Sequence, residues 1–452
     1  MPNNPRAKKL LIVGFALTFF YGLQLALLVY VLSDYLGQYM SAKYISLVYI
    51  SSAIFSLYIL NVYNKSLKHY HNYRTTSTLI LLQIFSLAMM SFVTNPFVIS
   101  FYTLIYLSIV TLLATSLNLY IDEWAEHEDM GVVRGVNMVI TALSLIFGLF
   151  LSKIILSVKY NFTGLIVSHI NHQYGMLIIV NIFILVIMQI LVKHYYSHIS
   201  EPKYAGGHMW KVIWQLYRNK DLYGVFIANL ALQFYVTIMI AYFVTYLIKF
   251  NFVNISEYVG YIMPLALLPF VLLPYKVGQL ADKKYGEKEF MIAGLVIMSI
   301  SMLLVPILSH YNSEIVYTNL NNLNVNISNF NNNISHGIIT NGNQIDVNNI
   351  NGNIYSMILL SWGILLIIGR TGSSLLETAS TTYFFKKVSK NDNDTISLFS
   401  NLGALGTLIA SLFAIISYYI DIYFNINYSL FILSSAFLLL CIRYVMRVRD
   451  TL

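Results

Sequence analysis

Apolar runs long enough to cross a bilayer recur along the whole chain, and they constrain the fold more than any other feature. A transmembrane helix needs roughly 20 consecutive apolar residues, and these runs do not alternate in polarity as the strands of a membrane barrel would. The sequence therefore predicts an all-α integral membrane protein with twelve spans. Approximate bounds are 10–32, 41–62, 77–95, 97–120, 136–157, 174–193, 222–248, 258–279, 290–309, 355–385, 396–419 and 426–446.

The composition supports lipid as the main solvent. Hydrophobic residues make up 58% of the 452 residues and charged residues only 10%, whereas soluble domains carry about 25% charged residues. So few charges cannot cover a water-facing surface of this size. The single cysteine, Cys441, excludes an internal disulfide and any cysteine-rich metal site.

The distribution of basic residues predicts the orientation. If the N-terminus is cytoplasmic, most of the 27 Lys and Arg residues fall in loops on the cytoplasmic side, as the positive-inside rule requires. Both termini are then cytoplasmic, and the number of spans is even. The net charge of +8 is thus explained without nucleic acid, because the basic residues lie in short loops beside apolar runs.

Two polar stretches divide the chain. The basic, aromatic stretch 194–221 separates a first six-span half, 1–193, from a second, 222–452. We expect this stretch to be a linker helix on the cytoplasmic membrane surface, or alternatively a partner-binding segment. The stretch 311–353 is Asn-rich and free of Lys and Arg, so it predicts a disordered outer loop.

The loop between spans eight and nine carries a motif. From Gly278 it reads GQLADKKYGEK, which resembles the cytoplasmic loop signature G-x-L-[AG]-D-[RK]-x-G-[RK]-[RK] of the major facilitator superfamily. The matching residues are Gly278, Leu280, Ala281, Asp282, Lys283 and Lys288, while Gly286 falls one position late.

This resemblance implies two pseudo-symmetric six-helix halves, transport by alternating access, and a conformational gate at Gly278, Asp282, Lys283 and Lys288. Gly278 is expected to permit close helix approach, and Asp282 to bond a neighbouring helix terminus. The corresponding stretch of the first half, 61–70, keeps only its basic residues and Leu67. Because it has no Asp, a gating role there is weakened.

Charged residues inside membrane spans are costly and mark function, and two lie well inside span ten. Glu377 follows Arg370 by seven residues, about 10.5 Å along a helix and on nearly the same face. In one reading Arg370 binds an anionic group of a solute and Glu377 is a protonation or gating site. In the other, both form ion pairs that lock span ten to its neighbours.

Uncharged polar residues supply weaker candidates for solute binding. They are Asn229, Gln233 and Tyr235 in span seven and Tyr21 and Gln24 in span one, two helices that line the central cavity of the superfamily. Interhelical hydrogen bonds explain these residues at least as well.

The leading hypothesis is a secondary transporter in the plasma membrane that moves a small solute, with an anionic solute and proton or ion coupling as options. No cofactor, metal or nucleic acid is expected, because the sequence lacks Walker, GxSxG and paired-His motifs. Two alternatives remain open. One is a transporter-like receptor or scaffold, and the other is a membrane enzyme acting on lipid or glycan, using Asp122, Glu123, Glu126 and His127.

Overall fold

The computed structural model describes residues 5–124, 130–157, 172–197, 214, 218–249, 257–281, 286–322, 352–388, 393–424, 426 and 428–449. The regular structure of these residues is helical throughout. The α-helices are Pro5–Leu28, Leu32–Gly37, Ala42–Phe92, Pro96–Trp124, Met130–Ser157, His172–Tyr196, Lys220–Thr237, Phe243–Lys249, Met263–Leu272, Pro274–Leu280, Glu287–Asn322, Gly352–Lys387, Asn393–Ser400, Leu402–Phe424 and Ser429–Val445.

The predicted membrane architecture is confirmed. Eleven helices of the described part of the chain are long and apolar enough to cross a bilayer, and the shorter Ser429–Val445 stands at the position of span twelve. Helices suit lipid because every backbone hydrogen bond closes within its own segment. Hydroxyl side chains follow the same rule, since Thr18 donates to the Gly14 carbonyl at 3.1 Å and Ser56 to the Ser52 carbonyl at 2.8 Å.

The boundary between spans two and three lies further along the chain than predicted. The stretch 61–70, expected to be the loop between them, is helical, and the chain leaves helical geometry at His71, with φ 63° and ψ 167°. The next residue, Asn72, is buried and donates to the Ser116 carbonyl at 3.0 Å. The prediction was wrong here because hydropathy reports where a helix leaves the hydrocarbon, whereas the helix itself continues into the headgroup layer.

The predicted outer loop 311–353 is also shorter than expected. The helix of span nine continues to Asn322, and the helix of span ten begins at Gly352, while 323–351 lie outside the described residues. Most of the linker predicted for 194–221 lies outside them as well. The division of the chain into two halves and the cytoplasmic position of both termini stay predictions.

Spans seven and eight depart from uniform α-helix. A π-helical turn, Ile238–Tyr242, interrupts span seven, and another, Tyr258–Ile262, opens span eight. Span eight breaks again before Pro274, since proline has no backbone N–H to donate. Such π-helical turns are frequent at functional sites.

Three pairs of spans approach closely at glycines. A Cβ at Gly148 of span five would lie 2.6 Å from the Ala26 Cβ of span one, and one at Gly406 of span eleven would lie 2.6 Å from the Gln233 Cβ of span seven. A Cβ at Gly294 of span nine would lie 2.6 Å from the carbonyl oxygen of Gly372 in span ten. Small residues let helix backbones approach where lipid provides no hydrophobic drive.

Spans two and five contact spans eleven and eight, respectively, at the ends predicted to face outside. The Lys153 ammonium of span five lies 3.2 Å from the centroid of the Tyr261 ring of span eight, and the Lys43 ammonium of span two lies 5.3 Å from that of Tyr419 in span eleven. Both are cation–π contacts. Gly260 makes room for the first, because a Cβ there would lie 2.0 Å from the Lys153 Cδ.

A further contact joins the halves toward the opposite ends. The Asn401 amide of span eleven donates to the Thr115 hydroxyl of span four at 3.0 Å, and both residues are buried. Contacts between the first six and the last six spans are therefore present toward both ends of the bundle.

Candidate functional site

Arg370 lies in the interior of span ten and is 2% exposed. Its Nε and Nη2 atoms have no hydrogen-bond partner among the described residues. A buried charge is normally paired or hydrogen-bonded because its desolvation is costly. The Arg370 guanidinium therefore has N–H donors that can bind a further hydrogen-bond acceptor.

Tyrosines from three spans surround the guanidinium. Tyr30, which follows the first helix of span one, is within hydrogen-bonding reach of Arg370. Tyr235 of span seven and Tyr258 of span eight lie close enough to interact with it electrostatically. All three rings are buried. Arg370 of span ten is therefore surrounded by hydroxyl groups from spans one, seven and eight.

Gly369 makes room for one of these tyrosines. A Cβ at this position would lie 1.9 Å from the Tyr235 hydroxyl and 2.7 Å from the Ser301 Oγ. The two hydroxyls are 3.3 Å apart and form a hydrogen bond. The Tyr235 hydroxyl therefore lies against the backbone of span ten, directly beside Arg370.

Glu377 is half-buried further along the same helix. It interacts electrostatically with Arg370, but the two side chains do not form an ion pair. Between these two residues span ten makes a neutral contact, the hydrogen bond from the Ser374 hydroxyl to the Pro269 carbonyl of span eight at 3.2 Å. The site thus combines one buried cation and one carboxylate that remain separate.

The span one candidates make contacts within the first half. The Tyr21 hydroxyl donates to the Val110 carbonyl at 3.1 Å, and the Gln24 Nε2 donates to the Tyr106 hydroxyl at 2.8 Å. Both partners belong to span four. These contacts are the interhelical hydrogen bonds of the alternative reading, and a role in solute binding stays a prediction.

The span seven candidates lie against span eleven. The Gln233 Nε2 donates to the Asn229 Oδ1 at 3.4 Å, and the Gln233 Oε1 is 3.5 Å from where a Cβ of Gly403 would stand. On this span it is Tyr235, two residues further on, that the structure brings to Arg370. A solute-binding role for Asn229 and Gln233 stays a prediction.

The motif loop is described only in part, because Asp282 and Lys283 lie outside the described residues. The structure shows no close helix approach at Gly278, since a Cβ there would meet no heavy atom of the described residues within 4 Å, and its role in gating stays a prediction. A glycine is required instead at Gly286, whose φ is 76°. Lys288 is half-buried in the first turn of span nine.

Next to Lys288, Glu287 is a buried carboxylate that sequence reasoning did not single out. It accepts a hydrogen bond from the Lys386 ammonium at 2.5 Å, across from the end of span ten. The sequence does not reveal this pair, because Glu287 and Lys386 each stand at the end of a span, in a stretch that resembles any basic cytoplasmic loop.

Other residues were missed for a similar reason. Asp34 lies in the short helix after span one, is half-buried and accepts a hydrogen bond from the Tyr174 hydroxyl of span six. It escaped notice because the predicted span ended at residue 32. Tyr30 and Tyr258 gave no signal at all, because the chain contains 36 tyrosines. Among the described residues, no group of three or more His, Cys, Asp or Glu could hold a metal ion.

Three solved structures share this architecture. A mutant of the nucleoside transporter NupG matches with a TM-score of 0.63 and 13% identity, covering 98% of this chain and 99% of that one. Another NupG structure gives 0.62 and 12%, covering 97% and 98%. A bacterial homologue of the human lysosomal transporter Spinster, inward-facing and unoccupied, gives 0.63 and 8%, covering 100% of both chains.

No protein-family model matches the sequence, and no curated protein matches it either. At these identities the similarity to the solved structures establishes the fold. It is the many-helix transporter fold that the loop between spans eight and nine predicts.

Proposed function

We propose that this chain is a secondary transporter that carries a small anionic solute across a membrane by alternating access of its two six-helix halves, 1–193 and 222–452. The observation that carries the proposal is the buried, incompletely partnered guanidinium of Arg370 between the halves. In transporters of this architecture, solute sites lie near the midplane between structural repeats.

Arg370 suits a carboxylate or phosphate group. A guanidinium presents its N–H donors in a planar fork that such anions accept in pairs, and two donor nitrogens of Arg370 are available. The hydroxyls of Tyr30, Tyr235 and Tyr258 can hydrogen-bond the rest of the solute. Because Tyr30 belongs to the first half and Arg370 to the second, a bound solute touches both.

Glu377 is the proposed proton carrier. It is the only carboxylate in the span ten helix, and it interacts electrostatically with Arg370 without pairing to it. An anion on Arg370 offsets the positive charge that favours the ionised carboxylate, so solute and proton binding assist each other. Proton symport is the coupling that this arrangement supports.

The remaining predicted residues take secondary roles. Gln233, Asn229, Gln24 and Tyr21 orient the solute or hold the helices around it, and the loop containing Gly278, Asp282, Lys283 and Lys288 acts as the conformational gate. We place the protein in the plasma membrane with both termini cytoplasmic.

The test is counterflow of radiolabelled solutes into proteoliposomes containing the purified protein. The panel holds carboxylates and phosphate esters, together with nucleosides because NupG, a structurally similar protein, is a nucleoside transporter. We expect uptake of an anion that Arg370→Ala abolishes, that Arg370→Lys reduces, and that is retained by Arg443→Ala, a control at an exposed arginine of span twelve.

Other results of this assay contradict the proposal or favour one of its alternatives. Uptake that survives in Arg370→Ala contradicts the site. A solute that raises the melting temperature without counterflow supports the receptor alternative, and recovery of a chemically altered solute supports the enzyme alternative. Absence of both binding and counterflow across the panel contradicts the proposal as stated for anions.

A further inference from the structure

The first half contains a cluster of buried amide side chains that the solute site does not use. It is formed by Gln24 of span one and Gln83 of span three at the Tyr106 hydroxyl of span four, together with Asn181 of span six at the Gln24 backbone carbonyl. All four residues are 0% exposed. Interiors seldom bury this many polar groups unless they satisfy one another or hold a ligand.

The amide donors of the cluster are largely used within the protein. The Gln24 Nε2 donates to the Tyr106 hydroxyl at 2.8 Å, and the Asn181 Nδ2 donates to the Gln24 backbone carbonyl at 3.0 Å. Gln83 lies beside the same Tyr106 hydroxyl, without reaching hydrogen-bond geometry. These bonds fix which way the amide groups of Gln24 and Asn181 point.

The acceptors of the cluster are not used. The Gln24 Oε1, the Gln83 Oε1 and the Asn181 Oδ1 are buried and have no hydrogen-bond partner among the described residues. Each such oxygen costs about 1–3 kcal/mol when left unsatisfied. The cluster therefore offers three oxygens to a group that carries positive charge.

We propose that the Gln24, Gln83 and Asn181 amide oxygens, with the Tyr106 hydroxyl oxygen, bind an alkali metal cation in the first half. A water molecule donates only two hydrogen bonds and leaves a third acceptor unsatisfied, whereas a cation can be coordinated by all the oxygens at once, with the unpartnered Gln83 Nε2 turned away from it. Carbonyl-type oxygens replace the hydration shell of such ions in channels. A divalent ion is disfavoured, because those sites employ carboxylates and the cluster has none.

A cation here ties four helices together near the boundary with the second half. Tyr106 lies close to Tyr49 of span two, whose ring centroid is 6.2 Å from that of Tyr242 in span seven. Gln24 also shares span one with Tyr30, the residue that reaches Arg370. Ion occupancy can therefore affect how the halves meet.

The test uses purified full-length protein without solute, so its result is independent of the proposed transport activity. The melting temperature is followed while choline chloride is replaced by sodium or potassium chloride at constant ionic strength, and binding of radioactive sodium is measured in parallel. We expect a saturable rise with at least one alkali salt over choline.

The variants locate the site. Gln83→Leu is expected to abolish the ion response, and Gln83→Glu, which adds a carboxylate, to tighten apparent binding about tenfold, equivalent to about 1.4 kcal/mol. Asn137→Leu is the matched control, because Asn137 is another buried amide with an unpartnered oxygen, on span five. It should leave the response unchanged.

Two results overturn the proposal. One is a wild-type protein that melts at the same temperature in all three salts, which indicates water or no occupant. The other is an ion response that Gln83→Leu retains, which places the ion elsewhere. If Gln83→Leu does not fold, Gln83→Glu and Tyr106→Phe decide, since the proposal requires tighter ion binding in the first and weaker binding in the second.

Discussion

Gly406 brings span eleven against span seven, and replacing it with alanine tests whether this approach is as tight as the structure indicates. The added Cβ would lie 2.6 Å from the Gln233 Cβ, 2.7 Å from the Gln233 carbonyl carbon and 2.7 Å from the Phe234 nitrogen. Two of these three atoms are backbone, so no side-chain rotation removes the overlap. The two helices must separate.

The size of the effect follows from these distances. Ordinary contacts between carbon atoms are about 3.5–4.0 Å, so the helices must move apart by about 1 Å locally. Overpacking of this kind costs about 1–3 kcal/mol. Replacing a helical glycine with alanine returns up to about 1 kcal/mol through helix propensity. We therefore expect a net loss of about 1–2 kcal/mol in the free energy of unfolding.

Gly363→Ala is the matched control. Gly363 is a buried glycine within the span ten helix, and a Cβ there would meet no heavy atom within 4 Å. The same change in helix propensity should raise stability by up to about 1 kcal/mol. Thermal unfolding of the two detergent-purified variants should therefore shift in opposite directions. If Gly406→Ala is as stable as Gly363→Ala, the close packing at Gly406 is refuted.

Three further changes have defined outcomes, each read as a difference in the free energy of unfolding from wild type. Gly286→Ala forces a side chain into the left-handed region at φ 76° and should cost about 1–2 kcal/mol. An unchanged melting temperature would contradict the positive φ at this position. Lys386→Met removes the cation beside the buried Glu287 carboxylate and should cost about 1 kcal/mol, since the lysine side chain is 39% exposed and partly screened; combining it with Glu287→Gln should cost less than the sum of the single changes. Thr115→Val removes the hydroxyl that accepts from Asn401 and should cost about 1 kcal/mol, and a stabilised variant would show that this contact is not formed.

The spans were predictable because lipid imposes a length and a composition on every helix that crosses it. The helix 96–124, for example, contains the predicted span 97–120. Helix ends outside the hydrocarbon were not predictable in this way. The continuation through 61–70 to His71 and the extension to Asn322 run through polar sequence, where hydropathy does not report a helix.

The candidate site was predictable only where a residue is costly in lipid. Arg370 and Glu377 were found because a charge within a span requires an explanation. Tyr30 and Tyr258 were not found, and Tyr235 was only one of several weak polar candidates, because a tyrosine is compatible with lipid, protein or water. Their significance comes from how each helix is rotated about its axis, and no local pattern in this sequence reports that rotation.

The glycine contacts of spans one and five, nine and ten, and seven and eleven also bear on how such a chain can change over time. A bundle fixed by a few positions where no side chain fits leaves the lipid-facing remainder free to exchange one apolar residue for another. Substitution can then proceed over those lipid-facing surfaces with the helices still in register. Selection on this molecule should therefore be strongest at Gly148, Gly294, Gly372 and Gly406, positions that carry no chemistry of their own.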